Sequence, residues 1–268
     1  MQTPELNYLE INRQLWNNKT EVHIRSDFYN LENFKKGGTS LAPIELEQLG
    51  DVRGKSLLHL QCHFGMDTLS WARRGANVTG VDLSDKAIAT AQQLAKDLKI
   101  DARFICCDIY DLPKYLDAQF DIVFTSYGTI GWLPDLKPWG EVIARYLKPG
   151  GEFHFIEFHP MVWMFDDDLS YVQYSYFNKE AIVEVTNGTY ADRSAPLKDQ
   201  SISWNHSLSD VFQALLDQGL SIEQFTEYDW SPYNIFPRGI EIEPGKWQTQ
   251  GMEGKLPMIF ALKAVNVL

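Results

Sequence analysis

From Ser56 onward the apolar positions switch between two rhythms. SLLHLQ (56–61) is a short apolar run of strand length, and apolar residues then recur at helical spacing from Gly65 to Arg74. ANVTGVD (76–82) is rich in β-branched residues, and Ser84 stands where it can N-cap a helix over DKAIATAQQLAKDLK. ARFICC (102–107), FDIVFTS (120–126) and EFHFIEF (152–158) repeat the strand pattern. Between the last two, LKPWGEVIARYL reads as a helix stopped by Lys148-Pro149-Gly150-Gly151. Strict alternation of this kind predicts an α/β protein with a parallel sheet, covered by helices on both faces.

The alternation then breaks. Residues 159–203 carry many aromatics and a hairpin signal, AIVEVTNGTYA, with Asn187-Gly188 at its turn. Ser207–Gln218 is helical with Gly219 as its stop, and SIEQFTEYDW (221–230) and KLPMIFALKAV (255–265) supply two more strands, joined by a Pro- and Gly-rich excursion. Three units follow: an N-terminal helical cap segment over 1–50, an α/β domain over 51–158 and 204–268, and an aromatic-rich inserted cap over 159–203.

The chain has 268 residues and a formal net charge of −12. That balance opposes a nucleic-acid partner, which needs a basic face, and an anionic membrane surface. No apolar run reaches the roughly 20 residues needed to span a bilayer, and the N-terminus lacks a basic start followed by an apolar stretch. Of three cysteines, Cys106 and Cys107 are adjacent in an apolar run and read as small core residues. That usage fits a reducing, cytoplasmic setting. No histidine spacing suggests a metal.

In an open parallel sheet, ligands bind where the strands end. After the first strand comes Gln61-Cys62-His63-Phe64-Gly65, a turn that opens a helix and suits an anion. Asp82, followed by Leu83, ends the second strand 17 residues beyond Gly65. Its carboxylate can accept both hydroxyl protons of a ribose, or it can be an acid that merely faces a helix dipole. Asp108 follows the third strand and can accept from an adenine amino group with Ile109 packing on the ring, or it is a loop acid. Ser126-Tyr127-Gly128 ends the fourth.

Taken in order, these motifs with FDIVF and LKPGGEF resemble the class I S-adenosylmethionine-dependent methyltransferases. LLHLQCHFGMDTLSWARRGANVTGVDLS is similar to a bacterial subgroup in which an L-Q-C-H-x-G-x-D-T run replaces the glycine-rich turn. The resemblance implies a Rossmann-like, doubly wound seven-stranded sheet whose last strand is antiparallel, and S-adenosylmethionine as cofactor. It further implies that Gln61, His63 and Gly65 line the methionine side, Asp82 the ribose, and Asp108 with Ile109 the adenine. His59 replaces an acid of the family pattern, and Gln61 and His63 replace two glycines. The Asn/Asp-Pro-Pro-aromatic signature of amide or nucleobase methylation is absent at Ser126–Thr129.

For the acceptor end, Glu157 and His159 share strand parity, so both are expected to face the crevice. His159 is the better base candidate, with a normal pKa near 6.5, and Tyr127 is a candidate to orient the acceptor. The acceptor is expected to be a small molecule, selected by the two cap segments, whose aromatic surface would also suit a homodimer interface. Two alternatives stay open from sequence. One is an NAD-dependent oxidoreductase, though the tighter G-x-G-x-x-G turn is missing. The other is a non-catalytic adenosyl-ligand-binding protein.

Overall fold

The computed structural model describes residues 7–267. In chain order its helices are α1 (Tyr8–His23), α2 (Leu31–Lys35), α3 (Pro43–Leu49), α4 (Met66–Arg73), α5 (Asp85–Leu98), α6 (Leu136–Tyr146) and α7 (Leu208–Leu216). Its strands are β1 (Ser56–Leu60), β2 (Asn77–Asp82), β3 (Arg103–Cys106), β4 (Phe120–Ser126), β5 (Leu147–Phe158), β6 (Ile182–Asn187), β7 (Lys198–Ser203), β8 (Leu220–Tyr228), β9 (Gly239–Glu243), β10 (Lys246–Thr249) and β11 (Ile259–Asn266). The main sheet has the order β3-β2-β1-β4-β5-β11-β8, and β11 runs antiparallel to both neighbours. The order reverses between β1 and β4, which opens a crevice at their carboxyl ends.

Strand periodicity sorts the core into two layers. Leu58, Leu60, Val123, Phe153 and Phe155 pack with Trp139 of α6 and with α7. Their neighbours Leu57, Ile122, Phe124 and Ile156 face the other way, onto Trp71 of α4 and Ile44 of α3. α5 completes that second face through Ala87, Ile88, Ala91 and Leu94. Its predicted cap is present, since Ser84 Oγ accepts from Ala87 N at 3.0 Å. α7 starts with a reciprocal Ser207–Asp210 capping box.

Gly140 sits inside α6, where glycine costs about 1 kcal/mol against alanine. It is there because α6 and α7 approach closely: a Cβ would strike the backbone carbonyl of Ala214. Gly140→Ala should therefore destabilise the protein by about 1–3 kcal/mol despite its better helix propensity. Urea unfolding would show this, and a stabilised variant would refute the close approach.

Three sequence expectations change. The Lys148–Gly151 breaker ends α6 but not the pairing: Leu147 already pairs with Phe120, and register resumes at Glu152 opposite Ile122. The hairpin signal at Asn187-Gly188 is not a two-residue turn. Asn187 pairs with Lys198, and the ten residues 188–197 between the strands form a loop that carries Tyr190 inward. Cys106, the last residue of β3, is exposed, and only Cys107 of the pair is a buried core residue. The excursion before β11 also contains an unforeseen β9–β10 hairpin.

Candidate functional site

A cavity of about 910 Å³ lies over the carboxyl ends of β1, β2, β4 and β5. This is at the upper end of the range for small-ligand sites. The strand ends form its floor. Its roof comes from α1, the loop at Phe28–Asn30, the 159–203 segment and residues 233–237.

The turn after β1 is built on alternate left-handed residues, with φ of 56° at Gln61, 50° at His63 and 79° at Gly65. Two of these are not glycine, and such conformations cost about 1–3 kcal/mol each. Surrounding bonds hold them. Gln61 Nε2 donates to Thr129 O at 2.8 Å, and His63 N donates to Asp82 Oδ2 at 2.8 Å. Gly65 has a packing reason as well, since a Cβ there would lie 2.8 Å from the Phe104 ring and 2.9 Å from Ala91 Cβ. Beneath the turn, His59 is buried and its Nδ1 meets Thr68 Oγ1 at 2.8 Å. Burial drives its pKa down to about 3, so its imidazole is neutral.

Asp82 projects into the cavity from the end of β2. Each carboxylate oxygen accepts one backbone N–H, Oδ2 from His63 and Oδ1 from Ser84 at 2.9 Å. An ionised carboxylate has about four acceptor positions, so about two remain. Burial lifts its pKa to about 6 against the opposing pull of the backbone N–H groups of Ser84, His63 and Leu83. Asp108 is half-buried at the mouth of β3 and accepts from Tyr110 N at 3.1 Å. Leu83, Ile109 and Ser126 line the same cavity. The sheet thus gathers Gln61, His63, Gly65, Asp82, Leu83, Asp108, Ile109, Ser126 and Tyr127 around one space.

His159 is not among them. β5 ends at Phe158, and the chain turns so that His159 N donates to Met258 O at 2.8 Å. Its ring lies against Glu227, Nε2 to Oε1 at 2.8 Å, while Nδ1 accepts from Met161 N at 3.2 Å. Parity fails there because the strand has already ended. Glu157 does reach the cavity wall, but both its oxygens are engaged. They accept from Gly128 N, from Thr129 N at 2.7 Å, from Thr129 Oγ1 at 2.8 Å and from Phe158 N at 2.7 Å. It fixes the loop after β4 and leaves no oxygen free to act as a base. His159→Ala should leave ligand affinity at this cavity within about twofold, and a tenfold loss by calorimetry would contradict the geometry.

Two cavity residues, Lys19 and Asp67, were not singled out from the sequence. Lys19 lies over the rings of Trp16 and Trp132, 5.0 and 5.5 Å from their centroids. Burial lowers its pKa to about 8, and no ion pair with it is seen among the described residues. His23 Nδ1 and His63 Nε2 stand 2.9 Å apart, and burial holds both rings neutral. Asp67, in the first turn of α4, also faces the cavity. A signal for α1 existed: Tyr8, Asn12, Trp16 and Lys19 fall at i, i+4, i+8 and i+11, one helical stripe that mixes aromatic and polar residues.

Asn residues tie α1 down. Asn12 Nδ2 donates to Ile202 O at 2.7 Å, and Ile202 N donates back to Asn12 Oδ1 at 3.0 Å. Asn17 Oδ1 accepts from Ser84 Oγ at 2.6 Å, two residues beyond Asp82, and Asn17 Nδ2 donates to Asp85.

Residues 58–155 match the family model described as a methyltransferase domain. The ubiquinone biosynthesis O-methyltransferase of Coxiella burnetii (strain Dugway 5J108-111) is 32% identical over 136 residues, which cover 49% of this chain and 57% of that enzyme. The chain thus spans little more than half the length of that relative. Among solved structures, an S-adenosylmethionine-dependent methyltransferase from Clostridium acetobutylicum aligns with a TM-score of 0.59 at 15% identity, over 94% of this chain and 98% of that one. Another from Mesorhizobium loti aligns with a TM-score of 0.56 at 18% identity, over 86% and 99%. The chain therefore carries a methyltransferase-domain match at its centre, and its whole fold is that of the S-adenosylmethionine-dependent methyltransferases.

Proposed function

We propose that the protein binds S-adenosylmethionine in this cavity and methylates a small molecule. The observation that carries this reading is Asp82: a cavity-facing carboxylate with about two acceptor positions spare, as a ribose diol needs. Leu83 and Ile109 offer apolar surface for an adenine, and Asp108 an acceptor for its amino group. At the other end, Gln61 Oε1 is buried without a partner and can accept from an amino-acid ammonium. Lys19 can meet the carboxylate. The residues present therefore fit the group.

When bound, S-adenosylmethionine supplies a methyl group already activated by its sulfonium. What the chain adds is alignment, whose contribution reaches about 7–11 kcal/mol in well-oriented reactions. The roof supplied by α1, the insert and residues 233–237 excludes water from the reacting pair. Tyr127, held with φ of 43° at the end of β4, faces the acceptor side and orients that partner.

S-adenosylhomocysteine should raise the melting temperature. At a hundredfold excess over Kd, a native-state ligand stabilises by about 2.7 kcal/mol. Stabilisation by NAD and not by S-adenosylhomocysteine would replace this reading with an oxidoreductase.

A further inference from the structure

Away from Asp82 and Asp108, the cavity ends in a second grouping of side chains. Phe28 and Tyr29 come from the loop before α2, Tyr190 from the long insert loop, Tyr233 from the stretch after β8 and Tyr127 from the end of β4. The Tyr29 and Tyr190 hydroxyls stand 2.5 Å apart. Phe28 lies 5.5 Å from Tyr190 and 5.6 Å from Tyr233, and Tyr127 meets Tyr233 edge-on at 5.0 Å. These rings come from segments far apart in sequence, so only the folded roof assembles them.

Asp67 lines the same cavity as these rings. Its charge reaches all four tyrosines, raising the pKa of each after the larger effect of burial. Close to it, Glu45 is wholly buried, and its nearest side-chain partner is the Tyr127 hydroxyl. Among the described residues no cation is paired with Asp67: burial lifts it to about 6, relieved only by the nearby Ser40 hydroxyl. An uncompensated buried carboxylate is costly, and aromatic faces carry negative potential, so both features favour a positive guest. Two cationic side chains line the cavity: Lys19 lies over Trp16 and Trp132, and Arg193 donates to Ile235 O at 2.9 Å.

We infer that the methyl acceptor carries a cationic amine, which seats against Asp67 within the rings of Tyr29, Tyr127, Tyr190 and Tyr233. The inference rests on the methyltransferase reading above and narrows its substrate class. The ammonium takes the place of the missing counter-ion, and the aromatic faces select it over a neutral group of equal size.

The test compares charged and neutral molecules of matched shape: choline against 3,3-dimethyl-1-butanol, and benzylamine against benzyl alcohol. Binding to the full chain is measured by calorimetry after saturation with S-adenosylhomocysteine. At least one amine should bind tenfold or more tightly than its neutral partner. Asp67→Asn should erase that preference while changing S-adenosylhomocysteine affinity less than threefold, and Tyr233→Leu should reduce it. Absence of amine binding, equal binding of the neutral partners, or a preference that survives Asp67→Asn would overturn the inference. So would an Asp67→Asn variant that loses affinity for S-adenosylmethionine but not S-adenosylhomocysteine, which would assign the charge to the sulfonium. If S-adenosylhomocysteine does not bind, the methyltransferase reading fails on its own, and the same comparison is made on the unliganded protein.

Discussion

Asp82→Ala should weaken S-adenosylhomocysteine binding by on the order of a hundredfold. Hydrogen bonds to a charged group contribute about 1.5–3 kcal/mol each, and two ribose hydroxyls at the low end give about 3 kcal/mol. Alanine also removes the acceptor for the backbone N–H of His63 and of Ser84, so the turn after β1 loosens. Asp82→Asn separates the two effects, because it keeps the shape and one acceptor. Wild-type affinity should also fall as the pH drops through about 6, where the carboxylate takes up a proton. That dependence should be missing from Asp82→Asn. Calorimetry at pH 5 and 7.5 reads both outcomes, and unchanged affinity in either variant would remove Asp82 from the site.

The second large effect concerns stability. Glu45 is buried in α3 beside Asp67 and Tyr127, and burial, then Asp67, raises its pKa from the ordinary 4.5 to about 8. A carboxyl raised in this way binds its proton more tightly in the folded state than in the unfolded one. Its neutral form is therefore compatible with folding below about pH 4.5, and stability is lost progressively as pH rises towards about 8. At full ionisation the loss is on the order of 5 kcal/mol, at about 1.4 kcal/mol per unit. Glu45→Gln, which cannot ionise, should be markedly more stable than wild type at pH 9 and similar to it at pH 5. Urea titrations at the two pH values would measure this. Parallel profiles for the two proteins would show that Glu45 does not carry the pH dependence.

Much of the sheet domain was legible because its signals are local. Strand and helix periods alternate cleanly from Ser56 to Phe158, and Ser84 caps α5 as its position suggests. Asp82 and Asp108 could be found because they stand directly after strands, where topology alone brings them together. The acceptor end was less readable. His159 has the right parity, but parity holds only while a strand continues, and β5 stops one residue earlier. The Asn187-Gly188 pair marks the right place yet opens a longer loop, since the partner strand begins only at Lys198. Asp67, Tyr190 and Tyr233 meet through long-range packing, which leaves no short-range signature. Lys19 was the exception, for its stripe on α1 was visible and only its meaning was missing.

Helix α1 bears on the order in which the molecule is assembled. Asn12 finds its partner Ile202 across a separation of 190 residues, and Asn17 holds Ser84 across 67. α1 is made before the insert hairpin and cannot dock until that hairpin follows. Such non-local closure is slow compared with forming the sheet's neighbouring strands. Strands β1 to β5, with Asp82 and Asp108 at their ends, all precede β7 in the chain, so this part of the sheet can take shape while the crevice is still open to solvent and before α1 has found its place. An encounter with S-adenosylmethionine during synthesis would meet the floor before the roof, so the ligand can act as a template on which the roof closes.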